Sequence, residues 1–412
     1  MNKYGTFTFC STLLLTGCEL GGNDKTESQK LDDELQTLVV SKQISNIQAP
    51  TNNPVITSPL AQLGKQLFFS KSLSGDIDTA CATCHHPNLG GSDQLPLSVG
   101  VAAAEPDLLG PGRVHDAGAM HHDGGPTIPR NSPTTFNVSL LTKSIFHDGR
   151  VEFEGADGAI RTPDVNFNTA DPNSGDSLVQ AQARFPVTSK EEMRGFNFVS
   201  DGDNQALRAG LEQRLQGNTN ELYKNDWLEL FRTALDQPNA SASSLISFDN
   251  ITLAIGAYEQ SQLLIDNPWS DYLAGQTNAI TDSAKRGALL FYKAKAEGGF
   301  NCASCHSGGL FSDESFHVVA MPQLGRGKGD GPNSDDDFGR FRETKIGTDK
   351  YAFRTPSLLN VTQTGPWGHS GAHIQLKQVV AHHLNPQKAL QSYVPDDIQE
   401  GILINNLATN TD

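Results

Sequence analysis

Residues 81–86 read CATCHH, and residues 302–306 read CASCH. Each stretch is a Cys-x-x-Cys-His element, a pattern compatible with zinc binding, a redox dithiol or covalent haem attachment. Zinc takes about four ligands, and no second cysteine pair lies near either element. A thioredoxin-like dithiol starts a helix in a βαβ unit and does not require the histidine. Because a histidine follows directly in both elements and no predicted strand precedes them, the pattern favours haem attachment.

Two c-type haems would use the side chains of both elements in the same way. The cysteines form thioethers to the porphyrin, and the following histidine binds the iron. The residues that the pattern assigns are Cys81, Cys84, His85, Cys302, Cys305 and His306. A sixth protein ligand gives an electron-transfer site, whereas an open iron face can bind peroxide. The function therefore depends on the residues opposite each histidine.

The composition is that of a globular protein without a nucleic-acid partner. Of its 412 residues, 37% are hydrophobic and 19% are charged, and the formal net charge is −16. Phosphate neutralisation requires clustered Lys and Arg, so an acidic chain argues against nucleic acid. The negative charge favours solubility, and it can also attract a basic redox partner over long range.

The first residues resemble an export signal. Lys3 precedes an apolar stretch that ends in LLLTGC, residues 13–18, which is similar to a bacterial lipoprotein cleavage box. This pattern predicts a signal peptide over 1–17, a lipidated Cys18 and a periplasmic protein held at the membrane by lipid alone. An ordinary secretory signal with a chance cysteine is the alternative. The polar residues 18–55 predict a flexible tether.

The same order of sequence segments occurs twice along the chain. LGKQLFFS precedes CATCHH, RGALLFYK precedes CASCH, and each element is followed by a segment rich in Pro, Thr, Leu and Asn. The repeat predicts an N-terminal haem domain over 56–283, with a helical insertion, and a C-terminal haem domain over 284–412. Helical patterns are expected at 203–216, 223–235 and 248–262. We expect an all-α fold of two cytochrome c-like domains with long loops.

The chain resembles the bacterial dihaem cytochrome c peroxidase and MauG family. The resemblance covers about residues 58–390. Beside the two haem elements, it rests on LGKQLFFSKSLSG (63–75), PRNSPTTFNVSL (129–140), FHDGR (146–150), FPVTSKEEMRG (185–195), MPQLGRGKGDG (321–331) and FRTPSLLNV (353–361). It implies two haem domains, with the N-terminal haem as the peroxide site, the C-terminal haem as the electron-transfer site, and a calcium ion between the haems. Family members are often dimers.

Two positions on the distal side of the peroxide site in this family have a counterpart here, each with an alternative residue. Glu192 falls where the family keeps a glutamate, and Glu191 is its neighbouring alternative. A carboxyl in a partly apolar pocket can move a proton between the two oxygens of a peroxide. Gln182 or Gln180 corresponds to a distal glutamine.

The calcium site is also inferred from the resemblance. Asn131 matches a calcium residue of the family, and the backbone carbonyls around Arg354 and Pro356 match its partners. Carbonyl and amide oxygens completed by water suit this ion. Arg130 and Arg150 are candidates to pair with haem propionates.

The chain departs from the family at the peroxide site. Val101 stands where members that need reductive activation have a histidine that caps the iron. A Gly-rich insertion follows and carries His115, His121 and His122, any of which is an alternative cap. We favour the open site, because ordering a long loop costs conformational entropy.

The chain also departs between the haems and at the second iron. His147 replaces a tryptophan that the family usually keeps between the haems, and histidine is a poorer carrier of an electron hole. His383 falls where the family has the sixth ligand of the second haem, a Met or Tyr. His382 would point about 100° away around a helix, so only one of the pair can face the iron. Met321 and His369 are weaker candidates.

The sequence thus predicts an exported dihaem peroxidase. Electrons for hydrogen peroxide would come through the C-terminal haem from a small cytochrome c or cupredoxin. A MauG-like enzyme that oxidises Tyr or Trp residues of a partner protein is the first alternative. A non-catalytic dihaem electron-transfer cytochrome is the second.

Overall fold

Helices joined by long loops dominate the computed structural model, which describes residues 25–119, 128–155, 157–199 and 202–394. The helices are α1 (Glu27–Ser41), α2 (Pro59–Phe69), α3 (Cys81–Cys84), α4 (Leu178–Gln182), α5 (Asn204–Leu215), α6 (Trp227–Leu235), α7 (Ala242–Leu245), α8 (Phe248–Gln260), α9 (Pro268–Leu273), α10 (Asp282–Tyr292), α11 (Phe341–Thr344), α12 (Leu376–Leu384) and α13 (Pro386–Gln391). In this part of the chain no helix is long and apolar enough to cross a bilayer.

The three helical patterns downstream of the first haem element are confirmed as α5, α6 and α8. The Asp203 side chain caps α5 by accepting a hydrogen bond from the Ala206 N–H, and Ser247 caps α8 in the same way through Asn250. In α8 the residues that recur on one face, such as Ile251 and Ile255, are buried.

Two small antiparallel sheets accompany the helices, so the expected all-α class describes only part of the fold. Strands β1 (Ser144–Ile145), β2 (Val151–Glu154) and β3 (Ala159–Arg161) pair in chain order, and β4 (Phe316–His317) pairs with β5 (Phe353–Arg354). The turn between β1 and β2 carries residues 146–150, and β5 carries Arg354. The sheets therefore hold in place the loop segments that the family resemblance assigns to the space between the haems.

Residues 27–41, expected within a flexible tether, form the packed helix α1. Thr26 and Gln29 make a capping box at its start. Leu35 and Leu38 are buried with Tyr272 and Leu289 on the C-terminal side of the chain. The tether prediction weighted the charged composition of this segment and overlooked the helical spacing of its leucines, which supplies an apolar face.

Helices α2 and α8 cross closely in the largest hydrophobic core. A Cβ atom built on Gly64 of α2 would lie 1.8 Å from the carbonyl oxygen of Ala254 and 2.9 Å from the Cβ of Tyr258. Only a residue without a side chain allows this approach, which packs Leu67 and Phe68 against α8. Since α3 directly follows this region, the crossing also fixes the first haem element.

We expect the substitution Gly64→Ala to lower the free energy of unfolding by about 1–3 kcal/mol, because the two backbones must separate to admit the methyl group. Denaturant titration of the purified protein measures the change. Gln66→Ala on the exposed side of the same helix is the control, and it should leave stability nearly unchanged. Equal stability of Gly64→Ala and the wild type would contradict the close crossing.

Candidate functional site

The first Cys-x-x-Cys-His element forms α3 and the residue after it. The Cys81 and Cys84 thiols are free. Nδ1 of His85 lies 3.0 Å from the Pro133 carbonyl oxygen and 3.3 Å from that of Gly91. Because Nδ1 donates to carbonyls, Nε2 of the same ring, 3.3 Å from the Ser132 hydroxyl, is the nitrogen that a metal ion would take. Burial lowers the pKa of His85, which keeps the imidazole in the neutral form that a ligand requires.

The second element has the same local geometry. Residues Cys302–Ser304 form a 3₁₀ turn, and the His306 N–H donates to the Cys302 carbonyl over 3.0 Å. Nδ1 of His306 lies 3.0 Å from the Phe311 carbonyl, so Nε2 is again the nitrogen left for a metal. Burial lowers the pKa of His306. Both histidines are thus oriented by backbone carbonyls.

A cavity opens beside the first element and is lined by Cys81, Cys84 and His85. It encloses about 1300 Å³ of space between atoms, part of it open to solvent. Its apolar wall includes Phe68 and Ile255. A cluster of cationic side chains completes the wall: Arg130, Arg150, Lys328 and Arg354.

These residues fit a covalently attached haem. Two thiols and a neutral imidazole supply the attachment and the axial ligand, and the apolar wall suits the porphyrin. The cations suit its propionates. Lys328 was not among the cations that the sequence predicted to pair with haem propionates. Burial, followed by nearby Arg150 and Arg130, lowers its pKa to about 8, and a bound anion such as a propionate would favour its charged form.

Glu192 lies in the cavity wall on the π-helix Lys190–Arg194. Burial raises its pKa, and nearby Arg150 and Lys328 oppose part of that effect. Glu191, the alternative, instead accepts a hydrogen bond from Arg326 over 2.9 Å. Only Glu192 of the two lines the cavity.

Of the two glutamines, Gln182 lines the cavity and Gln180 does not. The Gln180 side chain accepts from the Asp176 N–H over 3.1 Å and donates to the Asp249 carbonyl over 3.4 Å. It therefore stabilises the start of α4 and its contact with α8.

Val101 is fully buried, and its N–H donates to the Glu191 carbonyl over 3.2 Å. The segment around it thus packs against the backbone that carries Glu192. His115 pairs with Ala103 in an isolated bridge and is not among the described residues that line the cavity. His121, His122 and Cys18 lie outside the described residues.

The residues assigned to the space between the haems form one hydrogen-bonded set. Nε2 of His147 donates to the Asn131 carbonyl over 3.0 Å, and the Arg354 N–H donates to the His147 carbonyl over 2.8 Å. Burial, and then Arg130, lowers the pKa of His147 to about 4, so this ring is neutral at pH 7. The Asn131 amide donates to the Leu95 carbonyl over 2.8 Å. The Pro356 carbonyl lies near His306 and opposes, to a small extent, the lowering of its pKa by burial.

The adjacent histidines of α12 have different surroundings. His382 is fully buried, and its Nε2 donates to the Val319 carbonyl over 2.8 Å. His383 is exposed, its Nδ1 contacts the Val379 carbonyl at 2.8 Å, and its proximity contributes to lowering the pKa of His306. The two weaker candidates for the sixth ligand of the second iron, Met321 and His369, are both buried. Met321 lies 3.6 Å from a Cβ built on Gly368, and His369 stacks on Phe353 and bonds Gln323 over 2.9 Å.

A buried ion network joins the cavity wall to the C-terminal part of the chain. Arg130 donates to Asp148 over 2.6 Å and to both oxygens of Asp337 over 2.6 and 2.8 Å. Burial alone would raise the pKa of Asp337, but Arg130 lowers it well below its ordinary value. The network thus holds the loop that carries Lys328 against the turn that carries His147.

Sequence reasoning missed Lys328 and Glu259, which both line this cavity. Lys328 lies in a glycine-rich loop without a periodic pattern. Glu259 follows Ile251 and Ile255 at four-residue steps, so helical periodicity would have put it on the buried face of α8.

Comparison with known proteins identifies the family to which the chain is similar. The profile of the family described as di-haem cytochrome c peroxidase matches residues 58–278. Cytochrome c551 peroxidase of Pseudomonas aeruginosa is 29% identical over 347 residues, which cover 84% of this chain and 77% of the relative. Methylamine utilization protein MauG of Methylorubrum extorquens is 29% identical over 342 residues, covering 82% and 72%.

Solved structures share the fold. A MauG-like protein associated with microbial copper homeostasis superposes with a TM-score of 0.55 at 22% identity, covering 82% of this chain and 80% of its own. The diheme peroxidase BthA from Burkholderia thailandensis gives 0.52 at 20% identity, covering 82% and 74%.

We expect Asp337→Asn to lower the free energy of unfolding by about 3–5 kcal/mol at pH 7, because Arg130 loses a buried charged partner. A carboxylate with a lowered pKa stabilises the fold above its unfolded pKa of about 4, and that contribution is lost as the pH falls further. The difference between wild type and variant should therefore narrow below about pH 4. Denaturant titrations between pH 3 and pH 7 measure it.

Asp107→Asn is the control, since Asp107 pairs with Lys71 at the surface and is almost fully exposed. It should cause no measurable change. Equal losses in the two variants at pH 7 would contradict a structural role for the buried network.

Proposed function

The chain belongs to the di-haem cytochrome c peroxidase family, and from that premise we propose that it reduces hydrogen peroxide at the haem attached through Cys81 and Cys84. Membership makes it a peroxidase-like oxidoreductase with two c-type haems. The proposal adds that electrons arrive through the second haem from a small cytochrome c or cupredoxin. The observation that carries it is the half-buried Glu192 carboxyl in the wall of the cavity beside the first haem element.

When bound, a c-type haem supplies an iron that can bind peroxide and exchange electrons. Glu192 supplies the proton transfer. Since burial raises its pKa, the carboxyl keeps a proton at a higher pH than an exposed glutamate and can exchange it with the two peroxide oxygens. The Gln182 amide lies in the same wall and can orient a bound oxygen by hydrogen bonding. Arg150 and Lys328 limit the rise in the Glu192 pKa, which keeps the group able to release its proton.

Val101 supports an open peroxide site in this proposal. The position corresponds to the capping histidine of family members that need reductive activation, and valine has no atom that binds iron. His115, in its bridge with Ala103, gives no support to capping by that residue.

At the second haem we propose that His306 and His383 would be the two protein ligands of the iron. Both rings use Nδ1 for a backbone carbonyl, so each keeps Nε2 for the iron. His382 uses Nε2 for the Val319 carbonyl and is therefore the poorer candidate. Two imidazoles give a lower reduction potential than an imidazole and a thioether.

A MauG-like oxidation of Tyr or Trp residues in a partner protein is the second candidate. Val101 favours it, and the MauG relative is as similar as the peroxidase relative. His147 opposes it, because the family tryptophan that would carry a hole between the haems is replaced. Export with lipid attachment at Cys18 and a calcium ion near Asn131, Arg354 and Pro356 rest on sequence patterns and the resemblance alone.

We expect Glu192→Gln to lower kcat for peroxide reduction at least about 100-fold, because the amide cannot exchange the proton. Steady-state assays with a reduced small cytochrome measure the change. Glu191→Gln is the matched control and should stay within a few-fold of wild type, since Glu191 pairs with Arg326 outside the cavity.

The ferric spectrum separates an enzyme from an electron-transfer cytochrome. A high-spin component that changes when peroxide is added supports the proposal. Two fully low-spin haems that remain inert to peroxide after half-reduction would contradict the proposed peroxidase function. Rapid oxidation of a protein substrate with slow turnover of the reduced cytochrome would select the MauG-like candidate.

We expect His383→Ala to convert the low-spin signal of the second haem to high spin, because the iron loses its sixth ligand. Electron paramagnetic resonance of the ferric protein measures it. His382→Ala is the control, and it should keep the low-spin signal while weakening the packing of α12. The reverse pattern would make His382 the ligand.

A further inference from the structure

Glu259 is a buried carboxyl to which the proposed reaction assigns no role. It lies on α8, is 5% exposed and lines the cavity beside the first haem element. Its Oε2 atom is buried and has no hydrogen-bond partner among the described residues. Burial raises its pKa to about 8. A carboxyl in this setting gains or loses a proton in response to a small change in nearby charge.

The location of Glu259 differs from that of Glu192. Arg150 and Lys328 act on the pKa of Glu192, whereas burial is the cause that sets the pKa of Glu259. Glu259 in turn raises the pKa of Cys81, more than Glu192 does. Glu259 thus lies near the cysteine that attaches the haem and away from the cationic part of the wall.

The elements packed against α8 bring no cation to Glu259. Helix α4 and the turn at residues 138–140 carry no charged residue. Lys65 on α2 is exposed. On α5, Arg208 binds Asp164, Arg214 binds Glu221, and Glu212 accepts from the Phe248 N–H. The titratable and charged groups around the site are Lys65, Cys81, Arg208, Glu212, Arg214, the α8 residues Asp249 and Tyr258, and the cavity residues Cys84, His85, Arg130, His147, Arg150, Glu192, Lys328 and Arg354.

We propose that Glu259 is the proton acceptor coupled to reduction of the haem attached through Cys81 and Cys84. As one electron from a one-electron donor enters this site and the iron goes from ferric to ferrous, the Glu259 carboxylate takes one proton from solvent. The added electron is a negative charge near a carboxylate in a region of low dielectric, and protonation removes the repulsion. The inference rests on the haem site of the proposed function and deepens it.

The coupling matches what peroxide reduction consumes. One peroxide with two electrons and two protons gives two waters. A site that gains a proton with an electron therefore stores both in equal number. Glu192 exchanges protons with the peroxide, and Glu259 supplies charge balance before peroxide arrives.

Potentiometric titration of the holoprotein between pH 6 and pH 9.5 tests this proposal without peroxide. In wild type the reduction equilibrium constant of the first haem should fall up to tenfold per pH unit near pH 8, which is about 59 mV for one electron. Glu259→Gln should abolish this slope, whereas Glu192→Gln and Lys328→Met should keep it. A slope retained in Glu259→Gln, or lost in Glu192→Gln, overturns the assignment.

Proton uptake gives a second readout that does not depend on the folding of Glu259→Gln. Reduction of wild type and of Glu192→Gln in weakly buffered solution at about pH 9, where a carboxyl with a pKa near 8 is mostly ionised in the ferric protein, should take up most of one proton per electron at the first haem. Uptake near zero in either protein overturns the proposal. A protein that keeps the coupling but does not reduce peroxide would contradict the proposed function alone.

Discussion

The buried contact of Arg130 with Asp148 and Asp337 fixes the parts of the chain that make the cavity. Three charges removed from water are stable only when each is paired with good geometry. Here the guanidinium meets both carboxylates at 2.6 Å. Asp148 belongs to the turn after β1, and Asp337 belongs to a loop about two hundred residues later in the sequence. The network therefore decides which side chains of that loop reach the first haem element.

Three neighbouring carboxyls show how environment separates the roles of one residue type. Glu191 is paired with Arg326 and takes part in structure. Glu192 is half-buried, and Arg150 and Lys328 moderate the rise that desolvation causes in its pKa, which suits repeated proton exchange. Glu259 is buried without such cations, so its affinity for a proton is governed by burial and by charge added beside it. The same side chain thus serves as an ion-pair partner in Glu191, and its surroundings suit the proposed proton donor in Glu192 and the proposed charge-balancing acceptor in Glu259.

Local patterns predicted what depends on local structure. The haem elements and helices α5, α6 and α8 could be found because their signals lie within about fifteen residues. The small sheets could not, because β5 pairs with β4 across a long loop. The membership of Lys328 in the cavity wall depends on the contact of Asp337 with Arg130. Helix α1 was missed for a different reason, since its leucines had the correct spacing and the charged composition was given more weight.

The sequence pattern does not distinguish His382 from His383 clearly, whereas their side-chain hydrogen bonds do. Adjacent positions on a helix differ by about 100°, so a shift of one residue in an alignment exchanges a ligand for a core residue. The hydrogen bonds distinguish them by nitrogen atom. His382 commits Nε2 to the Val319 carbonyl, whereas His383 uses Nδ1 and keeps Nε2. His85 and His306 also use Nδ1 for backbone carbonyls, so His383 shares the hydrogen-bonding pattern of the histidines of the two haem elements. This shared use of Nδ1, rather than position in a motif, is the physical argument for proposing His383 as a ligand of the second iron.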